Sequence, residues 1–300
     1  MDTTRAVIAR AIVDHTPLPS AVAHLTALYS SGPEKRVEQK ILGRSKEPVL
    51  NYSTDAVGNS IYIYDGTMLY SVNVTTGEMS RREMATHIHS PCGFAKNPPR
   101  TQSTEHIGQV LIGAAYEACV VKNLLLDNET VVAHKRYIGE IEDVAANGQY
   151  AFVTYQDSDA IVVLDDTNGP FIHRIPFAPR DDEEENTVDC PNANQAFLEI
   201  DDDELYLMVV GRETINVYST ITFELKREIT FPVSAKGPVD FCVHRGELFL
   251  MSFSGTSVHN STTGCFLRKL DTVGSAWIVA AGGKLCTISA ERDTLISIYE

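Results

Sequence analysis

Three sets of side chains in this sequence have the types and spacing to do chemistry. His87, His89 and Cys92 lie close together, and imidazole and thiolate suit zinc. A structural zinc site takes four such ligands in recognisable pairs, and no second pair follows, so the three are a weak metal candidate and no cofactor is expected. Glu142, Asp143 and Asp240 could supply oxygen ligands to calcium, whose charge would polarise a substrate or a water for hydrolysis. Asp181, Asp182, Glu183, Glu184 and Glu185 form an unbroken acidic run, which reads either as a solvated loop or as a receiver for a basic segment. No Gly-x-Ser-x-Gly, phosphate loop, His-Glu-x-x-His or dinucleotide fingerprint occurs, so the balance is against an enzyme.

The elements that must position these groups come from an internal repeat. A turn built on Gly, Asn or Asp precedes an alternating apolar run at Val57-Gly-Asn59, Ala146-Asn-Gly148, Asp201-Asp-Asp203, His244-Arg-Gly246 and Ala281-Gly-Gly283. The runs that follow include Ile61-Tyr-Ile-Tyr64, Tyr150-Ala-Phe-Val153, Leu205-Tyr-Leu-Met208 and Leu248-Phe-Leu-Met251. Period-two alternation of this length means strands, and Gly or Asn supplies the positive φ of tight hairpins. Repetition at this period means a radial all-β array, and the expected fold is a six-bladed β-propeller. A seven-bladed ring is the alternative, its extra blade coming from the irregular stretch 84–108. The poorest repeat is placed near Gln109–Gly113, Ala118–Val121 and Val131–His134.

Residues 1–33 read differently. Thr4 and Ser20 could cap two short amphipathic runs broken by Thr16-Pro-Leu-Pro19, which predicts an N-terminal helical hairpin. Residues 34–300 are then the propeller domain. The last repeat lacks an outer strand, and residues 35–42 have a strand's alternation without a blade of their own. The ring should therefore close by 35–42 completing the last blade, which removes an exposed edge.

The 300 residues carry 25 Lys plus Arg against 40 Asp plus Glu, a formal charge of -15. That surface repels phosphate backbones, so no nucleic-acid partner is expected. No uninterrupted apolar stretch reaches the ~18 residues of a membrane span, so no membrane partner is expected either. The six cysteines are scattered without a Cys-x-x-Cys pair, and no signal-peptide pattern opens the chain. A cytoplasmic protein is expected, with a nuclear one as the other intracellular possibility.

The segment Phe152-Val-Thr-Tyr-Gln-Asp-Ser-Asp-Ala-Ile-Val-Val-Leu-Asp-Asp-Thr167 resembles the YVTN-type β-propeller repeat and its WD-repeat relatives. The resemblance covers residues 45–300 weakly and one blade well. It departs from the WD pattern in having neither a Gly-His nor a Trp-Asp dipeptide. It implies an interaction platform, with calcium-dependent channel hydrolases as the minority alternative.

Two insertions, 84–108 and 178–194, read as links from an outer strand to the next inner strand, on one face of the ring. The expected function is a non-enzymatic scaffold that binds a protein or peptide there, through His87, His89 and the acids Asp181 to Glu185. Aligning the innermost strands gives one column of Ser53, Glu142, Phe197, Asp240 and Trp277, and a second of Thr54, Asp143, Leu198, Phe241 and Ile278. Acids do not fill either column, which predicts a wet channel rather than a calcium ring.

Overall fold

A computed structural model of the chain describes residues 36–40, 53–57 and most of 59–299, leaving out several interstrand segments, among them 84–90, 97–109, 123–129, 178–194 and 232–237. The described residues form 24 strands. The first is β1 (Arg36–Lys40). β2 (Ser53–Val57), β3 (Ser60–Tyr64), β4 (Met68–Asn73) and β5 (Met79–Glu83) form one antiparallel sheet. β6 (Pro91–Lys96), β7 (Val110–Ala114), β8 (Glu117–Lys122) and β9 (Thr130–Arg136) form the next. The third holds β10 (Ile141–Ala146), β11 (Tyr150–Tyr155), β12 (Ala160–Asp165) and β13 (Phe171–Pro176). The fourth holds β14 (Ala196–Asp201), β15 (Glu204–Val209), β16 (Thr214–Ser219) and β17 (Leu225–Thr230). The fifth holds β18 (Asp240–His244), β19 (Glu247–Ser252), β20 (Gly255–Asn260) and β21 (Phe266–Leu270). In the last sheet β22 (Ser275–Ala281), β23 (Lys284–Ser289) and β24 (Leu295–Tyr299) run in order, and β1 pairs antiparallel with β24, Val37 opposite Ile298.

The first strands of successive sheets lie side by side, and β22 returns to β2, so the sheets close on themselves around a centre. Burial follows position within each sheet. The second strands β11, β15 and β19 share the pattern of one half-buried residue followed by five buried ones. They are covered by neighbouring sheets on both faces, which is why they read as near-continuous apolar runs. The fourth strands β13 and β17 are mostly exposed, and β21 is exposed or half-buried at all but its last residue.

The core is the set of interfaces between sheets. Phe152, Ile161 and Val163 meet Leu198, Leu205 and Leu207 between the third and fourth sheets. Tyr206, Val217 and Ile229 meet Phe241, Val243 and Leu248 between the fourth and fifth. Ile61, Ile63 and Val72 pack with Cys286, Ile288 and Ile298, joining the first sheet to the last. Each such fully buried aliphatic side chain stabilises the fold by about 1.5–3 kcal/mol in transfer terms.

The turns repeat as well. Asn73, Ser219 and Asn260 each accept two backbone amides of the following turn on their side-chain oxygen. Each turn ends on a left-handed residue, which is Gly77 at φ 73°, Gly264 at φ 72°, and Phe223 at φ 63°. Glycine takes that conformation without steric cost, whereas phenylalanine does not. Phe223 is held there by its ring, which stacks on His173 at 5.3 Å and meets Tyr150 edge-on at 5.0 Å.

These findings keep the all-β propeller class and correct the finer expectation of six like blades headed by a helical hairpin. Among the described residues there is no helix, and residues 1–33 lie outside them. Five blades are described with side chains and packed interfaces, and of the sheet β6–β9 the backbone pairing alone is described. A seventh blade has no strands in the described chain. The reading of 84–108 as one long insertion is also corrected, because Pro91–Lys96 within it is strand β6, paired with β7. Pro91 opens that strand and Gly93 sits at its register shift, and these two residues masked the alternation on which the sequence reading relies.

Candidate functional site

Glu142 and Asp143 stand on β10, and Asp240 opens β18. These are innermost strands, where a calcium-dependent hydrolase would gather its ligands. Their oxygens are used otherwise. Asp143 Oδ2 accepts the Leu198 amide of the next sheet at 2.7 Å, and its Oδ1 accepts the amide of Val144 at 2.8 Å. Asp240 repeats the arrangement: Oδ2 accepts the Ile278 amide at 2.7 Å, and Oδ1 accepts the Phe241 amide at 2.9 Å. Glu142 Oε2 accepts the Ala196 amide at 2.9 Å. A carboxyl group that accepts amides from the neighbouring strand couples one blade to the next.

Asp143 and Asp240 are therefore equivalent, and so are Leu198 and Ile278. The sequence alignment had placed Asp240 one position out of step, beside Glu142. The signal that could have found the equivalence is distance to the next second strand, since both aspartates precede it by seven residues. Burial pushes the Asp240 carboxyl up to about 7, against the lowering effect of its two amide donors. Among the described residues no cluster of three or more His, Cys, Asp or Glu side chains could hold a metal.

The outer side of the fourth and fifth blades carries a second kind of polar pairing. Glu204, first residue of β15, receives the Arg227 guanidinium through both nitrogens at 2.6 Å each. Glu247, first residue of β19, receives Arg268 in the same way at 2.6 and 2.7 Å. Arg227, with Lys226 and Tyr206 also bonded to the carboxylate, holds Glu204 down at about 2. These ion pairs tie the fourth strand of a blade to its second.

Above them, between the fourth and fifth blades, lies a cleft of about 210 Å³. Phe231, Pro238, Leu250 and Phe266 supply apolar walls, and Ser257 and Lys269 are among its polar lining. His259 is buried beside it, with Nδ1 3.0 Å from the Gly264 carbonyl and Nε2 3.1 Å from Ser257 Oγ. A carbonyl only accepts, so Nδ1 carries the proton and the neutral ring accepts the Ser257 hydroxyl on Nε2. Burial lowers the pKa of His259, which favours that neutral form.

No family model and no curated protein matches the sequence. A structural match is found with the β-propeller domain of Cps50 (Swd1) from Myceliophteria thermophila, at a TM-score of 0.56 and 9% identity, covering 88% of this chain and 99% of that one. At that identity the likeness shows the fold and no specific family. The chain is a β-propeller. The propeller shape, read from the repeats, thus stands on an independent likeness as well as on its strand pairing.

The other predicted site residues are placed less fully. Cys92 lies on β6, known by its backbone alone, and His87 and His89 lie in the link 84–90, outside the described residues. Asp181, Asp182, Glu183, Glu184 and Glu185 also fall outside them. Strand order still says which blade ends the segments join. The link 84–90 runs from β5 to β6, as 178–194 runs from β13 to β14, so these two leave from the same face. The segment 97–109 joins β6 to β7 and belongs to the opposite face, so the stretch first taken as one insertion is divided between the two. The cleft between blades four and five was not foreseen. Its one legible sign was Phe266, an aromatic residue on an outer strand otherwise rich in charge.

Proposed function

We propose that this propeller is a non-enzymatic interaction scaffold that binds a protein or peptide partner on the face where 84–90 and 178–194 emerge. The observation that carries the reading is the use of the channel acids. Glu142, Asp143 and Asp240 each commit one oxygen to a backbone amide of the next blade, which suits a rigid platform and leaves them poorly arranged as calcium ligands. The acidic run Asp181 to Glu185 would receive a basic segment of the partner, with His87 and His89 on the same face. Propellers of the WD-repeat kind generally present such faces to proteins and peptides, and the likeness to the Swd1 domain supports the comparison at the level of fold. The charge of -15 argues against nucleic acid, and a cytoplasmic setting is part of the same proposal.

The test is capture from native lysate with the intact chain and with a variant lacking residues 181–185. A partner held by the first and lost by the second is the expected result. Equal capture by both would overturn the role given to the acidic run.

A further inference from the structure

We infer that the cleft between the fourth and fifth blades is an anchor site that takes one aromatic side chain of a partner peptide together with an adjacent carboxylate. The inference rests on the scaffold reading and gives it a second, chemically defined contact. Location comes first. Pro238 belongs to the link from β17 to β18, Ser252 ends β19, and Ser254 lies in the connection from β19 to β20. Both connections leave from the face that carries 84–90 and 178–194, so a peptide lying on that face reaches the cleft.

Size comes next. About 210 Å³ is below the ~300–1,000 Å³ of pockets for cofactors and drug-sized ligands. It exceeds the ~150 Å³ cavity that accepts a benzene ring. One aromatic side chain and the atoms beside it fit. The walls suit it, since Phe231, Leu250 and Pro238 are apolar, and Phe266, 58% exposed, stands at the opening with His259 edge-on to its ring at 5.7 Å. An exposed aromatic residue at the mouth of an apolar cleft loses little conformational freedom when it stacks on a ligand.

Charge and hydrogen bonding set the neighbour of that ring. Ser257 and Lys269 are opposite each other in the β20–β21 register and both line the cleft. The other cations of these outer strands are engaged, Lys226 and Arg227 with Glu204 and Arg268 with Glu247. Among the described residues no carboxylate pairs with Lys269, although the protein carries 40 acids. An ammonium group at the edge of an apolar cleft attracts a carboxylate. Ser257 gives its proton to His259, so its oxygen keeps lone pairs for an N–H. A peptide supplies that N–H from its backbone, the ring from one residue and the carboxylate from the next.

The experiment titrates the intact chain with N-acetyl-Phe-Glu-amide, N-acetyl-Phe-Lys-amide and N-acetyl-Ala-Glu-amide, observed by saturation-transfer NMR. The Phe-Glu compound should saturate and bind at least about fivefold more tightly than the other two. Lys269→Glu, at an exposed position, should invert the preference towards Phe-Lys while the melting temperature stays unchanged. Phe266→Ala should weaken both Phe compounds. Failure of the Phe-Glu compound to saturate by about 10 mM, or an unchanged preference in Lys269→Glu, overturns the anchor site. Lysate capture separates the two readings: partner lost with Lys269→Glu but kept on removing 181–185 supports the anchor and removes the acidic receiver. Partner kept with Lys269→Glu but lost with 181–185 does the reverse.

Discussion

Replacing Asp240 with Asn should change how the stability of this propeller depends on pH, and the direction is fixed by the structure. Burial raises the folded carboxyl to about 7, whereas an unfolded aspartate titrates near ~3.9. Between those values the unfolded chain has released a proton that the folded chain retains. Stability contributed by this group is therefore full below the unfolded value and falls as pH rises to the folded one. At about 1.4 kcal/mol per unit, three units give an upper limit of about 4 kcal/mol. Partial exposure of Asp240 reduces this, and about 2 kcal/mol is the expected size. Asn cannot titrate. It also accepts on only one oxygen, so it leaves either the Ile278 or the Phe241 amide unpaired, at a cost of about 1–3 kcal/mol. Urea unfolding at several pH values from 5 to 8 measures both effects. The variant should be clearly weaker than the parent at pH 5, and the gap should close by about 1 kcal/mol towards pH 8, since the rest of the loss falls below pH 5. His244 and His259, whose pKa values burial lowers, lose their contribution on the acid side in both proteins and cancel in the difference. A gap that stays constant over that range would refute the assignment of the proton to Asp240.

Glu204→Gln should cost about 1–2 kcal/mol at neutral pH by breaking the two-pronged bond to Arg227. Because the folded Glu204 is held at about 2, its stabilisation is present above the ordinary glutamate range and lost as pH falls towards 2, so acid unfolding of the variant should show a shallower limb. Phe223→Ala removes the ring but keeps a Cβ at φ 63°, whereas Phe223→Gly removes both. Thermal unfolding should therefore rank the glycine variant above the alanine variant by about 1 kcal/mol, with both below the parent. A chain beginning at residue 34 keeps β1 and serves as the reference for a deeper truncation. One beginning at residue 43 loses β1, exposes the β24 edge and should melt lower and associate on size-exclusion chromatography.

The repeat was legible because the second strands are buried on both faces, and their apolar runs leave little choice of period. Tyr150-Ala-Phe-Val and Leu205-Tyr-Leu-Met could be placed from the turns before them. The first strands were harder, since the turns that follow them differ in length: Ala146 pairs with Ala151 in one hairpin and His244 with Glu247 in the other, so counting back from the turn puts the two strands one residue out of step. That is how Asp240 came to be aligned with Glu142 instead of Asp143. The strand β6 escaped notice for a related reason. Pro91 cannot donate to a ladder and Gly93 carries no side chain, so neither shows the alternation by which a strand is recognised.

The candidate site was less legible because its meaning depends on which atoms are already occupied. Three acids on inner strands look like a metal site until five of their oxygens are matched to the amides they accept. The same amides cannot be read from sequence, since every residue but proline has one. Lys269 shows the opposite case. In sequence it is one of two adjacent cations, Arg268 and Lys269, with nothing to separate them. Alternation along β21 sends Arg268 to Glu247 and turns Lys269 towards Ser257 and the cleft. One residue's difference in register thus separates a structural ion pair from a charge left for a ligand, and exchanging the two residues should cost both the Glu247 bond and the peptide preference.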